Sequence, residues 1–232
     1  MGGKGWIGGM GWRKKSHVGH ARFGGSAGAS LGARPALPAF PALVVLLILA
    51  AACSNKPPDN PEQYASRLTS ERAAKDAEFR RNDDVVPKDK KDKFLPLAYF
   101  PIDPDYHVVA ALQPATDRTT LKMMTSSGQE RTMIRLGVLE FTLKGQLMTL
   151  GAFTEGDVNR LFVPFGDMTN GTETYPAGRF LDLDRTGTNL YELDFNRAYI
   201  PYCYYNATYE CPYPPSENRL KVPIHAGEKM KS

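Results

Sequence analysis

Apolar residues keep a helical rhythm in one stretch of this chain and a strand rhythm in the next. In "PEQYASRLTSERAAKDAEFRR", Pro61 to Arg81, a thin stripe of Tyr64, Leu68 and Phe79, helped by Ala65 and Ala74 or Ala77, recurs at helical spacing. The rest of the segment is charged, as a solvated face would be. Pro61 suits the first helical turn because its missing N–H needs no partner there, and Asp59 or Asn60 stands ready as a cap. The spacing predicts one N-terminal amphipathic helix. "VVPKDKKDK" ends it and reads as a solvated connector, so residues 61–93 are expected to be helix and linker.

From Phe94 the period shortens to two. "YHVVAAL", "LKMMTSS", "RTMIRLGVLEFTL" and "QLMTLGAF" are β-rich runs of strand length, and shorter strands are expected at Leu161–Phe165, Arg179–Leu183, Tyr191–Phe195 and Leu220–Ile224. Leu143–Lys144–Gly145–Gln146 fits a two-residue hairpin loop, which sets Phe141 near Met148. Ser127–Gly128 offers a second reversal, and Gly137 inside a run predicts a bulge or bend. There is no internal repeat and no second long helical pattern. These features predict a mainly β domain over residues 94–232, an antiparallel β-sandwich or partly open barrel behind the helix.

Charge changes the picture upstream. The chain carries 29 Lys and Arg against 25 Asp and Glu, a formal +4. Six of those basic residues (Lys4, Arg13, Lys14, Lys15, Arg22 and Arg34) and none of the acids lie in residues 1–52, so 23 basic residues face 25 acidic ones afterwards, a net of −2. A near-neutral body has no electrostatic footprint for phosphates, which argues against nucleic acid as a partner. The basic stretch, followed by an apolar run from Ala42 to Ala52 that ends in small residues before Cys53, reads as a targeting segment. The run is shorter than the ~20 residues a membrane span needs.

A signal core ending in Ala-Ala-Cys resembles the lipobox of bacterial lipoproteins. It departs from the usual pattern at Ala50, where Leu is commoner. The resemblance implies a signal peptide over 1–52, diacylglycerol attached at Cys53 with acylation such as palmitate, and an exported protein anchored in the cell envelope. Ser54 after the cysteine favours the outer membrane in a two-membrane cell. The start is Met1 or Met10, and the polar, Pro-rich 53–60 would serve as a tether.

Chemical motifs are sparse. "DLDRTGT", Asp182–Thr188, begins like a phosphotransfer loop or a calcium loop. No β–α alternation supports the first, and Leu193 stands where the second needs a bidentate Glu, so a polar turn is the simpler reading. Beyond the leader the chain has only His107 and His225, no Gly-x-Ser-x-Gly elbow, and Cys203 and Cys211 at a spacing unlike a zinc knuckle. No metal and no cofactor are expected. With Cys53 lipidated, Cys203 and Cys211 remain as an even pair in an exported chain. A disulfide closing their loop is therefore expected, with stabilisation of ~2.5 kcal/mol on loop entropy. It would order the segment Asp194–Leu220, which holds six of the eleven tyrosines and four prolines but hardly an aliphatic residue.

Two blocks, "LFVPFGDMTNGTETYPAGRFLDLD" and "LDFNRAYIPYCYYNATYECPYPPSENRLKVPIHAGEK", resemble the signature blocks of a bacterial and archaeal domain-of-unknown-function family, number 1684. "LPLAYFPIDPDYHVVAAL" and "MTSSGQERTMIRLGVLEF" resemble its earlier segments. The likeness runs from about Tyr64 to Lys229 and implies no agreed activity. It does point to positions: Glu173, Thr174, Tyr175 and Arg179 in the first block, then Asp194 to Tyr199, Cys203, Cys211, Glu217 and Asn218 in the second. Ile200 stands where the family usually has Asn. Among these, Glu173, Asp194 and Glu217 are the candidate catalytic acids, and Tyr175, Arg179, Asn196, Arg197, Tyr199 and Asn218 the candidate ligand-binding residues. A concave site with such a lining would suit a small polar or sugar-like ligand, or an envelope partner. A carboxylate-dependent hydrolase is the alternative, and it requires two acids facing a common void. The bland reading is a polar network that fixes loops.

Overall fold

A computed structural model describes residues 60–117, 119–156 and 159–231. The leader, Cys53 and all of the tether except Asn60 lie outside the described residues. No helix among those described is long and apolar enough to cross a membrane.

Helix α1 spans Pro61–Arg81. The Asn60 side chain accepts the Gln63 N–H at 2.9 Å, satisfying one of the orphan donors of the first turn. Tyr64, Leu68 and Phe79 are buried as the spacing predicts, but Ala74 and Ala77 are exposed. The middle of the buried stripe is polar instead. Arg72 donates to the carbonyls of Phe100 at 3.1 Å and Asn196 at 3.2 Å. Lys75 reaches the Glu228 carboxylate at 2.5 Å, and Asp76 accepts the Leu97 N–H at 2.8 Å. These charges fasten the helix. The connector is also less solvated than its composition suggests: it forms a short helix α2, Lys91–Phe94, and buries Val86 and Phe94.

Among the described residues nine strands follow: β1 (Ala98–Tyr99), β2 (His107–Pro114), β3 (Thr120–Met124), β4 (Glu130–Leu143), β5 (Gln146–Thr154), β6 (Arg160–Phe165), β7 (Arg179–Asp184), β8 (Leu190–Asp194) and β9 (Glu228–Lys229). All their pairings are antiparallel. The main sheet runs β7-β6-β5-β4-β2-β8, with β3 on β4; β1 and β9 make a separate two-stranded sheet. Strand β4 is long enough to take β3 on residues 130–134 and β2 on 137–141, so those two lie end to end along one edge. The sheet curls until β7 nears the chain just past β8. There Phe180 and Tyr199 exchange backbone hydrogen bonds of 2.9 and 3.0 Å. The result is a nearly closed barrel.

The turns obey their residues. Lys144 and Gly145 take φ of 47° and 78°, as a two-residue hairpin loop demands, and Phe141 pairs with Met148. The register shifts between Arg135 and Gly137. A Cβ at Gly137 would sit 2.3 Å from the Gln113 carbonyl oxygen, so the bulge needs glycine. Leu220–Ile224 is not the strand its composition predicts. Its backbone is committed elsewhere: Leu220 N–H goes to Gly166, Val222 accepts from Met168, and Ile224 N–H goes to the Asp167 carboxylate. Strands β1 and β9, two residues each, carry no periodicity and are invisible to pattern reading.

Inward residues fill the barrel: Val108, Leu139, Phe141, Leu150, Leu161, Val163, Leu181 and Leu193 among others, all nearly inaccessible. Two smaller clusters lie outside it. One, with Phe79, Phe94, Ile200 and Tyr205, joins α1 to the Tyr/Pro-rich segment. The other, Met123, Met133 and Phe153, sits on the outer face of the sheet.

Candidate functional site

With the interior packed, the strands must present any site on their outer face, and period-two alternation decides which residues those are. On β6, Arg160 and Phe162 alternate with core-facing Leu161 and Val163. On β7, Phe180 and Asp182 alternate with Leu181 and Leu183. The register sets Phe162 opposite Asp182 and Arg160 opposite Asp184. The segment after β8 returns over this face as a flap. It is pinned at its far end by Tyr213 N–H to Met124 O at 2.8 Å, Ser126 N–H to Cys211 O at 3.0 Å and Cys211 N–H to the Ser126 hydroxyl at 3.2 Å.

Flap and outer face enclose a cleft of about 670 Å³. Arg131, Met133, Glu155, Arg160, Phe162 and Asp182 come from the sheet side. Tyr199, Tyr202, Thr208, Tyr209, Glu210 and Pro212 come from the flap side. The aromatic rings touch in sequence. Phe162 meets Phe180 at 4.8 Å between centroids, Phe180 meets Tyr199 at 5.8 Å, Tyr199 meets Tyr202 at 6.2 Å and Tyr202 meets Tyr209 at 5.5 Å, three of the four contacts being edge-to-face.

Its guanidinium groups face carboxylates, while Glu210 stands exposed at the wall. Arg131 Nε lies 2.9 Å from Glu155 Oε1, and Arg160 Nε 4.0 Å from Asp184 Oδ1. The Tyr199 hydroxyl donates to Asp182 Oδ2 at 2.9 Å. Asp182 is open to the mouth of the cleft, yet the surrounding rings strip much of its water. That burial holds its carboxyl above the ordinary carboxylate range against the opposing pull of Tyr199 and Arg160. Burial likewise pushes the Tyr199 phenol well above 10, with Asp182 adding to it.

The residues singled out from the sequence are distributed differently. Of the six candidate ligand-binding residues only Tyr199 lines this cleft. Arg179 is fully buried and paired with Asp167 at 2.8 Å; it also donates to the carbonyls of Ile224 at 2.7 Å, Glu228 at 3.2 Å and Ala226. Asp194 accepts from Tyr64 at 2.9 Å, from Asn196 and from Arg197, which also pairs with Glu71. Asn196 in turn clasps the Asp103 backbone through both amide atoms. Asn218 accepts the Gly151 N–H at 2.6 Å and donates to Gly151 O and Pro164 O. Tyr175 packs on Tyr204. The three acids face separate partners: Glu173 faces His225 at 3.1 Å, Asp194 faces the Tyr64 network, and Glu217 pairs with Arg135.

The expected disulfide is absent: Cys203 and Cys211 are free cysteines. They are neighbours, with the Cys203 N–H donating to Cys211 Sγ at 3.2 Å. The flap is ordered by its backbone bonds to residues 124–126 and by ring packing, without a covalent link. The Cys211 thiol's hydrogen bond draws the Cys203 thiol down to about 6, with Ser126 and Tyr175 assisting against burial. The same bond, with burial, holds Cys211 up.

Sequence reasoning missed Arg131, Glu155, Arg160, Phe162 and Asp182. The alternation within "RLFVPF" and "RFLDLD" was a usable signal for the last three, since it puts them on one face of a hairpin. Reading "DLDRTGT" as a turn discarded it.

A family model described as a protein of unknown function, DUF1684, matches residues 92–229. The solution NMR structure of an uncharacterized protein of Haloarcula marismortui resembles this chain with a TM-score of 0.58 at 34% identity, covering 72% of this chain and 95% of that one. No curated protein matches.

Proposed function

This chain belongs to the DUF1684 family of proteins of unknown function, and from that premise we propose that it is an envelope-anchored binding module. Its described domain takes a small polar ligand into the cleft beneath the flap. The carrying observation is the cleft itself. It is concave, has the ~300–1,000 Å³ size of ligand sites, and joins a run of aromatic rings to a few convergent polar groups. The polar residues of the signature blocks, by contrast, are spent on holding loops.

A ligand screen by thermal shift tests this, using the full chain and a Thr208→Trp variant. Thr208 is exposed at the cleft wall, so the indole fills the cleft without disturbing the core. Compounds that stabilise the wild type should fail to stabilise the variant. Equal stabilisation of both would overturn the reading.

The anchoring half rests on the basic leader, the apolar run and Ala-Ala-Cys before Cys53. It predicts that the protein recovered from membranes begins at Cys53 and carries diacylglycerol by mass spectrometry. A different mature N-terminus, or an unmodified Cys53, contradicts it.

The hydrolase reading keeps one supporting observation, now displaced from its original residues. Asp182, with its raised carboxyl, shares the cleft with Glu155 and Glu210. Ligand turnover that Asp182→Asn abolishes while binding persists would favour that reading over binding alone.

A further inference from the structure

Resting on the cleft reading above, we infer that the ligand is a carbohydrate, a neutral sugar unit of an oligosaccharide, rather than an ion.

The electrostatics argue against a charged guest. Arg131 already faces Glu155 at 2.9 Å, so an anion there would have to displace a carboxylate of the protein, and Arg160 lies near both Asp182 and Asp184, whose charges oppose an anion. A cation at Asp182 would have to share the carboxylate with the Tyr199 hydroxyl. Glu210 also lines the cleft, but it is exposed and keeps its own water, so it offers a cation little.

A polyhydroxylated ring makes the opposite demand. It needs donors and acceptors side by side, and each guanidinium–carboxylate pair supplies both: nitrogens that donate and oxygens that accept. The remaining lone pairs of Asp182 and the phenol oxygen of Tyr199 add a further acceptor edge. A sugar's C–H face is apolar and flat, and it suits an aromatic wall. Tyr202 and Tyr209 meet at 80°, so their faces turn to different parts of the cleft. The wall continues to half-buried Tyr199 and Phe162, with the buried Phe180 ring packed between them. Asp182 is exposed, so a guest that reaches it keeps one side in solvent.

The test is isothermal titration of the full chain with four probes: maltotriose and chitotriose as neutral oligosaccharides, choline as a cation and benzoate as an anion. Tyr209→Ala and Asp182→Asn are titrated beside the wild type. At least one trisaccharide should bind the wild type, and each variant should weaken it about tenfold or more, the loss expected on removing one anchor of a site. Trisaccharide binding that neither variant weakens overturns the inference. So does binding of choline or benzoate, dependent on the same residues, with no trisaccharide bound; in that case the cleft remains a ligand site and only the ligand class is wrong. If none of the four binds, the carbohydrate inference fails. The fate of the cleft reading then rests on the thermal-shift comparison with Thr208→Trp.

Discussion

Cys203 and Cys211 show how residue identity underdetermines chemistry. Their even number would favour a disulfide if the chain is exported, and the distance between them along the chain permits one. Yet they stand as two thiols sharing a hydrogen bond, and the sharing divides their acidities. The thiolate is the reactive form. Alkylation of Cys203 with iodoacetamide should therefore rise with a pH midpoint of about 6. Cys211, only 7% exposed, should stay unlabelled until the chain unfolds. Equal labelling of both, with a midpoint near the ordinary thiol value of ~8.5, would contradict this pairing. Ile200 gives a second residue-scale lesson. It replaces an expected polar residue, and it is fully buried between α1 and the flap, with its N–H donated to Glu228 at 2.8 Å.

At the scale of elements, Asn218 does what strands β5 and β6 do not do for themselves. That pair meets in register only at Phe153 and Phe162. The Asn218 amide, fully buried, bridges the gap through Gly151 and the carbonyl of Pro164. Asn218→Ala strands three backbone groups, each worth ~1–3 kcal/mol when unpaired and buried. Urea unfolding should show a loss of roughly 3 kcal/mol or more at unchanged slope. A loss below about 1 kcal/mol would show that β5 and β6 hold without it. Local patterns made most elements legible: the cap at Asn60, the Lys144–Gly145 turn, the bulge at Gly137 and seven of the strands all follow from neighbours in sequence. What could not be read depends on distant partners. Arg72, Lys75 and Asp76 look solvated on α1 until Phe100, Glu228 and Leu97 are placed opposite them. Strands β1 and β9 exist only as each other's complement.

For the molecule as a whole, the division of labour inverts what the motifs suggest. The signature residues Arg179, Asp194, Asn196 and Asn218 build the frame, while the cleft draws on outer-face residues of β4, β6 and β7 together with the flap. Such a site was only half legible. The tyrosine content of Asp194–Leu220 marked one wall, but the opposite wall depends on which way each strand residue points and on where the flap returns. Alternation gives the first, but the second is a product of barrel closure at Phe180 and Tyr199.

The measurement that bears most directly on this account is the melting temperature of the full chain and of Thr208→Trp with a screening hit at about 100-fold excess over its Kd. That excess corresponds to ~2.7 kcal/mol of stabilisation, and for a domain of this size each 1 kcal/mol moves Tm by ~2–4 °C. The wild type should rise by roughly 5–10 °C and the variant by less than about 1 °C. Matching rises in both would place the ligand elsewhere and remove the cleft from the account.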